Sequence, residues 1–299
     1  MNWPHIITAL ITPYDRDGRV DPGKAAEIAQ YLLGQGSGGF VIAGSTGEAY
    51  ALSLAEREAL FRRIRSALPS DVPLWIGTGS NDTRQAVELT EAADDWGADG
   101  MLVVAPYYNK PPAQGLVQYF VDVAKCTTKP VMVYDVPGRT GVAIAPEVVA
   151  AARAQAENIA AVKEAAGTIT AMIAMHRALG SGVKLYSGDD ALLLPSLAVG
   201  ATGVVSVASH VAADHMQALI EAYYAGRQQE AIILAELFWP LAQNLFCQSN
   251  PIPLKWLMNR LGWNVGGVRA PLMMLADDTF AALWASYQAI AGQSMQRRA

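Results

Sequence analysis

The stretch "IAAVKEAAG", residues 159–167, places Lys163 directly behind four apolar residues, in a chain with only seven lysines. Burying an ammonium costs several kcal/mol or more unless it is paired or gives up its proton. Desolvation favours the neutral form of an amine, and a neutral lysine attacks a ketone to give a Schiff base. The iminium is an electron sink, so a proton leaves the neighbouring carbon and the resulting enamine attacks aldehydes. Such a sequence needs a proton shuttle, and Tyr134, at the end of the preceding apolar run, is placed for that work. Two hydroxyls flanked by glycines, Ser45 and Thr46 in "GSTGE" (44–48), make a cradle of N–H and O–H donors for a carboxylate. Arg139 in "PGRTG" (137–141) is suited to a second carboxylate, gripped bidentately.

Taken singly, each residue has a plainer reading. A strand lysine usually snorkels or pairs, and Glu164 is the obvious partner. A strand tyrosine is usually core, Arg139 fits a surface ion pair, and Asp189–Asp190 read as a helix cap. What favours chemistry is that all of them fall at the ends of apolar runs.

Those runs number eight: 5–13, 38–44, 73–79, 100–106, 129–137, 159–165, 183–189 and 202–209. They are almost continuously hydrophobic, as parallel strands covered on both faces should be. Between them lie longer stretches of helical spacing with matching start and stop chemistry. Ser53 and Glu56 form a capping box, Asp82 precedes a helical stretch, Pro146 suits a first turn, and Gly97, Gly180 and Gly200 stand at helix ends. Eight strand–helix units by about residue 226 predict a closed (β/α)8 TIM barrel, whose chemistry sits at the carboxyl ends of the strands. The expected division is a catalytic barrel over 1–226 and a C-terminal helical bundle over 227–299.

Hydrophobic residues make up 52% and charged residues 16% of the 299, enough for a large core and too apolar for disorder. The net charge of -5 argues against a nucleic-acid or anionic-membrane surface. No apolar run reaches the ~18 residues of a membrane span, and the first 15 residues read as a strand rather than a signal peptide. Cys126 and Cys247 suggest neither a disulfide framework nor a metal cluster, which points to a reducing cytoplasm. His5, His176, His210 and His215 lack ligand spacing and read as structural.

"GSTGE", "APYYNKP", "YDVPGRTG", "VKEAAG", "SGDD", "GVVSVAS" and "NPIPLKW" together resemble the dihydrodipicolinate synthase / N-acetylneuraminate lyase family of pyruvate-dependent class I aldolases, in order and spacing from about residue 5 to about 280. The resemblance implies a (β/α)8 barrel with no metal and no organic cofactor, the pyruvate imine being carried covalently on Lys163. It implies that Tyr134, Ser45 and Tyr108 form a proton relay, with Tyr108 crossing into a neighbouring subunit's site, hence a homo-oligomer, commonly a tetramer built as a dimer of dimers. Thr46, with backbone groups near Gly188 and Val205, is implied for the pyruvate carboxylate, and Arg139 for the carboxylate of aspartate semialdehyde. The expected reaction is the condensation of those two substrates in lysine and diaminopimelate biosynthesis. A paralogous aldolase, lyase or dehydratase acting on a sugar acid such as N-acetylneuraminate is the alternative, and a non-catalytic oxo-acid binder is a third reading.

Departures from the pattern are specific. Serine stands at 45 where the synthases usually have threonine, which removes a methyl that fixes the rotamer. Asp135 stands where asparagine is common. Of the family's lysine-feedback site, Asn81 and Tyr107 match, but Gln85 replaces a glutamate and Leu54 and Arg57 replace histidines, so weak or absent inhibition by lysine is expected.

Overall fold

The computed structural model describes residues 3–298, and the side chains of 3–292. The outermost residues of the expected division, 1, 2 and 299, lie outside the described residues. Each apolar run holds one strand: β1 (Ile6–Ala9), β2 (Gly39–Ile42), β3 (Leu74–Gly77), β4 (Gly100–Val104), β5 (Val131–Asp135), β6 (Ile159–Glu164), β7 (Lys184–Ser187) and β8 (Gly203–Ser206). They pair in parallel, in chain order, and β8 closes onto β1. The predicted (β/α)8 barrel is therefore the observed fold.

The helices are α1 (Pro22–Gly34), α2 (Leu54–Ala67), α3 (Thr83–Asp95), α4 (Ala113–Lys125), the short α5 (Pro137–Thr140), α6 (Pro146–Arg153), α7 (Ile169–Leu179), α8 (Leu193–Ala198), α9 (Ser209–Tyr224), α10 (Gln228–Asn244), α11 (Ile252–Arg260) and α12 (Ala281–Arg298). Their starts follow the sequence chemistry. The Ser53–Glu56 capping box is formed, the Asp82 carboxylate accepts from Arg84 N, and Pro146 occupies the first turn of α6. Beyond the barrel, α10 packs on α9 and α12, and α11 on α12.

Strand side chains alternate between two apolar layers. Ile7, Val41, Trp75, Met132, Tyr134, Ala161, Tyr186 and Val205 fill the barrel interior, whereas Ile6, Phe40, Ile42, Val131, Val133, Ile159 and Val162 face the helices. Both 159 and 161 are odd, yet they face opposite ways. The cause is a register shift between β5 and β6: Val131 pairs with Ile159 but Met132 pairs with Ala161, leaving Ala160 as an extra residue. From there on, Lys163 lies opposite Tyr134 and turns inward, while Glu164 lies opposite Asp135 and turns toward the helices. Gly203 sits where β8 runs against β1; a Cβ there would lie 1.9 Å from His5 O, so the strand closing the barrel admits no side chain at this point.

Candidate active site

Lys163 ends the inward-facing column of β6 and is only 3% exposed. Its Nζ stands 4.2 Å from the centroid of the Tyr134 ring on the adjoining strand. Among the described residues no carboxylate comes within 4.0 Å of it, so the expected plain partner, Glu164, does not neutralise it. Glu164 points the other way, its Oε1 accepting from Ala166 N at 2.7 Å. Gly188 after β7 is required by this packing: a Cβ there would lie 2.6 Å from Ala165 Cβ and 2.9 Å from Lys163 Cε. The lysine stem is thus held between a tyrosine face and a bare backbone.

A cavity of about 390 Å³ opens over the amine, walled by Ser45, Thr46, Tyr134, Arg139, Lys163, Gly188 and Asp189 from the barrel and by Ala242, Gln243, Phe246 and Asn250 from the C-terminal helices and the turn between them. A second cavity of about 400 Å³ lies beyond Ser45, Tyr134, Val136 and Arg139, toward Arg57, Ser80, Gln85 and Tyr107. Arg139 lines both, and its guanidinium donates to Asn250 O at 3.0 Å. Thr46 is buried, with its hydroxyl accepting from Asn250 Nδ2 at 2.9 Å.

The Val205 side chain is sealed in the barrel interior, and Val207, in the bend just after β8, lines the cavity. Tyr108 is 87% exposed and lines neither cavity of its own chain; its φ of +77° is unusual for a residue with a Cβ, and its N–H donates to Thr140 O. The acidic pair splits. Asp189 caps the turn after β7 through Ala191 N, whereas Asp190, fully inside, accepts from Val207 N and Ala208 N and ties that turn to the end of β8. Asn250 carries no expected role in the sequence reading; the "NPIPLKW" motif contains it, but nothing in its spacing shows that it reaches residue 46, 204 positions away.

A closed barrel with a dry, unpaired lysine at its carboxyl rim defines a class: a TIM-barrel enzyme that works at the strand ends. The chain belongs to the Dihydrodipicolinate synthetase family, whose model matches residues 2–290, and it is an enzyme, a pyruvate-dependent lyase. It is 46% identical over 274 residues to the 4-hydroxy-tetrahydrodipicolinate synthase of Prochlorococcus marinus strain NATL2A, covering 91% of this chain and 90% of that one. The synthase of the same name from Synechococcus sp. strain WH7803 is 44% identical over 286 residues, 93% and 94% of the two chains. Among solved structures, a dihydrodipicolinate synthase of Bacillus anthracis superposes with a TM-score of 0.93 at 39% identity over 96% of this chain and 98% of that one. That of Cyanidioschyzon merolae with lysine bound gives the same TM-score, identity and coverage.

Behind the strand ends, on the helix-facing side, Asp135 and Glu164 are neighbours in register and both buried. Burial first, and then the charge of Glu164, push the Asp135 carboxyl up to about 7, against one hydrogen bond from Ile144 N. Burial also raises Glu164. The folded chain therefore keeps a proton on Asp135 that the unfolded chain releases near 3.8. Between those values the native state binds more protons, so unfolding free energy falls as pH climbs, at about 1.4 kcal/mol per unit at most. Asp135→Asn should flatten this fall and leave the variant a few kcal/mol more stable than the parent at pH 8, with little difference near pH 4. Chemical unfolding at both pH values checks it; parallel curves for the two proteins would refute the assignment.

Proposed function

We propose that the chain condenses pyruvate with L-aspartate 4-semialdehyde to give 4-hydroxy-tetrahydrodipicolinate, in lysine and diaminopimelate biosynthesis. The observation that carries the mechanism is the Lys163 amine, 3% exposed, without a carboxylate partner among the described residues and set against the Tyr134 ring. Its Nζ adds to the keto carbon of pyruvate, and the carbinolamine loses water to give the imine. Loss of a methyl proton gives the enamine, whose carbon bonds to the aldehyde carbon of the second substrate. That substrate's amine then adds to the imine carbon, expels Lys163 and closes the ring. Tyr134 moves the protons of these steps, with Ser45 beside it on the cavity wall. Thr46, held by Asn250, faces the pyruvate carboxylate, assisted by backbone near Gly188 and by the β8 strand that carries Val205. The imine on Lys163 is itself the electron sink, and the reading invokes no cofactor.

Arg139 at the mouth takes the carboxylate of the aldehyde. A sugar acid such as N-acetylneuraminate has no observation in its favour beyond Ser45, a serine more like that of the family's sialic-acid lyase branch. Tyr108 serves a neighbouring copy's site: it is exposed, beside Tyr107 on the same loop, and Tyr50 and Leu54, in the segment after β2, are exposed apolar residues as well. The assembly is a homotetramer, a dimer of dimers, working in the cytoplasm; no helix among the described residues is long and apolar enough to cross a membrane. Feedback by lysine is weak or absent. Arg57 is buried and donates to Gly77 O and Ala49 O, and Gln85 is taken up by Ser80, so that cavity offers a lysine ammonium a cation and an amide instead of a carboxylate.

Borohydride reduction in the presence of pyruvate should add one reduced pyruvate to the tryptic peptide carrying Lys163, read by mass spectrometry; an unmodified peptide ends the Schiff-base reading. Arg139→Ala should raise the KM for aspartate semialdehyde at least tenfold, as loss of a charged bidentate grip does, while adduct formation with pyruvate stays near the parent's. Steady-state rates in the presence of about 1 mM lysine should remain above half the uninhibited value; stronger inhibition requires roughly 4 kcal/mol of binding and would overturn the reading of that cavity.

A further inference from the structure

The loop that follows β2 carries Ser45 and Thr46 between two left-handed residues that are not glycine, Ala43 at φ +51° and Glu48 at φ +54°. Such backbone persists only where surroundings fix it. Part of the fixing is local: a Cβ on Gly47 would lie 2.9 Å from Leu10 O, and Thr12 Oγ1 donates to Gly47 O at 2.7 Å. The rest comes from the far end of the chain. The Glu48 carboxylate is fully buried; one oxygen meets Lys255 Nζ at 2.7 Å and the other accepts from Arg269 N at 2.8 Å. Lys255, also fully buried, donates further to Gly267 O at 2.6 Å and lies 4.0 Å from the Tyr14 ring centroid. The same segment that delivers Lys255 delivers Asn250 to Thr46 Oγ1.

We propose that the buried Glu48–Lys255 pair is a positioning device for the substrate carboxylate: it clamps the Ser45–Thr46 loop to α11, so that the hydroxyls stand ready before the keto acid arrives. An ion pair cut off from water is a weak source of stability, because dehydration offsets the attraction. Both polar ends here are fully satisfied, and the pair pins the left-handed residue two positions after Thr46. Preorganisation of that kind lowers the cost of binding. Neither residue touches substrate; both act through the loop.

The inference rests on the reading that this loop holds the pyruvate carboxylate, and three variants separate it from a purely structural role. Lys255→Met leaves a lone buried carboxylate, so its Tm falls by several degrees. The double variant E48Q/K255M removes both charges and recovers the Tm. Pyruvate KM should nonetheless stay about tenfold or more above the parent's in the double variant, with kcat changed less, because the clamp is gone. E48Q alone keeps volume and hydrogen-bonding capacity but leaves the buried Lys255 charge uncompensated, and should raise pyruvate KM in the same direction. KM returning to the parent's value together with Tm, or unchanged KM in E48Q, overturns the proposal. Borohydride trapping on the parent protein tells the two failures apart: no adduct there defeats the functional reading, whereas a normal adduct with flat KM defeats only the clamp.

Discussion

One extra residue in a strand governs this molecule. Were Ala160 paired in regular register instead of bulged, the ladder that starts at Val131–Ile159 would set Val162 against Tyr134 and Lys163 against Asp135. Side chains in a strand alternate, so a shift of one residue exchanges every face that follows. The amine would then lie in the helix layer opposite the Asp135 carboxylate, a neutral salt bridge of no chemical use. With the bulge it lies in the barrel, beside a ring rather than an acid.

Charge is partitioned accordingly. The inward face of β5 and β6 presents a phenol and an amine; the outward face presents two acids in register, close enough for the charge of one to raise the other. Because the acids are paired off against backbone N–H groups at Ile144 and Ala166, neither is drawn through the sheet to quench the amine. In a low-dielectric interior an opposite charge on the same side would have dominated Lys163. The Asp135 carboxyl, where asparagine is common in the family pattern, makes the outer layer sensitive to protons near neutrality.

The barrel was legible in the sequence because doubly covered parallel strands read as continuous apolar runs, and each of the eight contains its strand. Lys163 was legible because a cation adjoining such a run is conspicuous. Glu164 as its partner was the natural misreading, since adjacent residues on a strand never share a face and only the bulge decides which of them turns inward. Contacts between distant segments left no local trace. Asn250 reaches Thr46 across 204 positions and Lys255 reaches Glu48 across 207, and no periodicity encodes either. Val205 is the last inward residue of β8, whereas Val207 lies in the bend beyond it, so strand alternation does not show that Val207 reaches the cavity.

The cavity roof has a consequence for how the chain comes to life. Ala242, Gln243, Phe246 and Asn250 complete the pocket, and Glu48 finds its counter-ion only at residue 255. A nascent polypeptide whose eight strands have already left the ribosome still has an open amine and an uncompensated acid inside it. The roof of the cavity and the counter-ion of Glu48 are therefore supplied together, by residues 242–255, only after every strand of the barrel has been made.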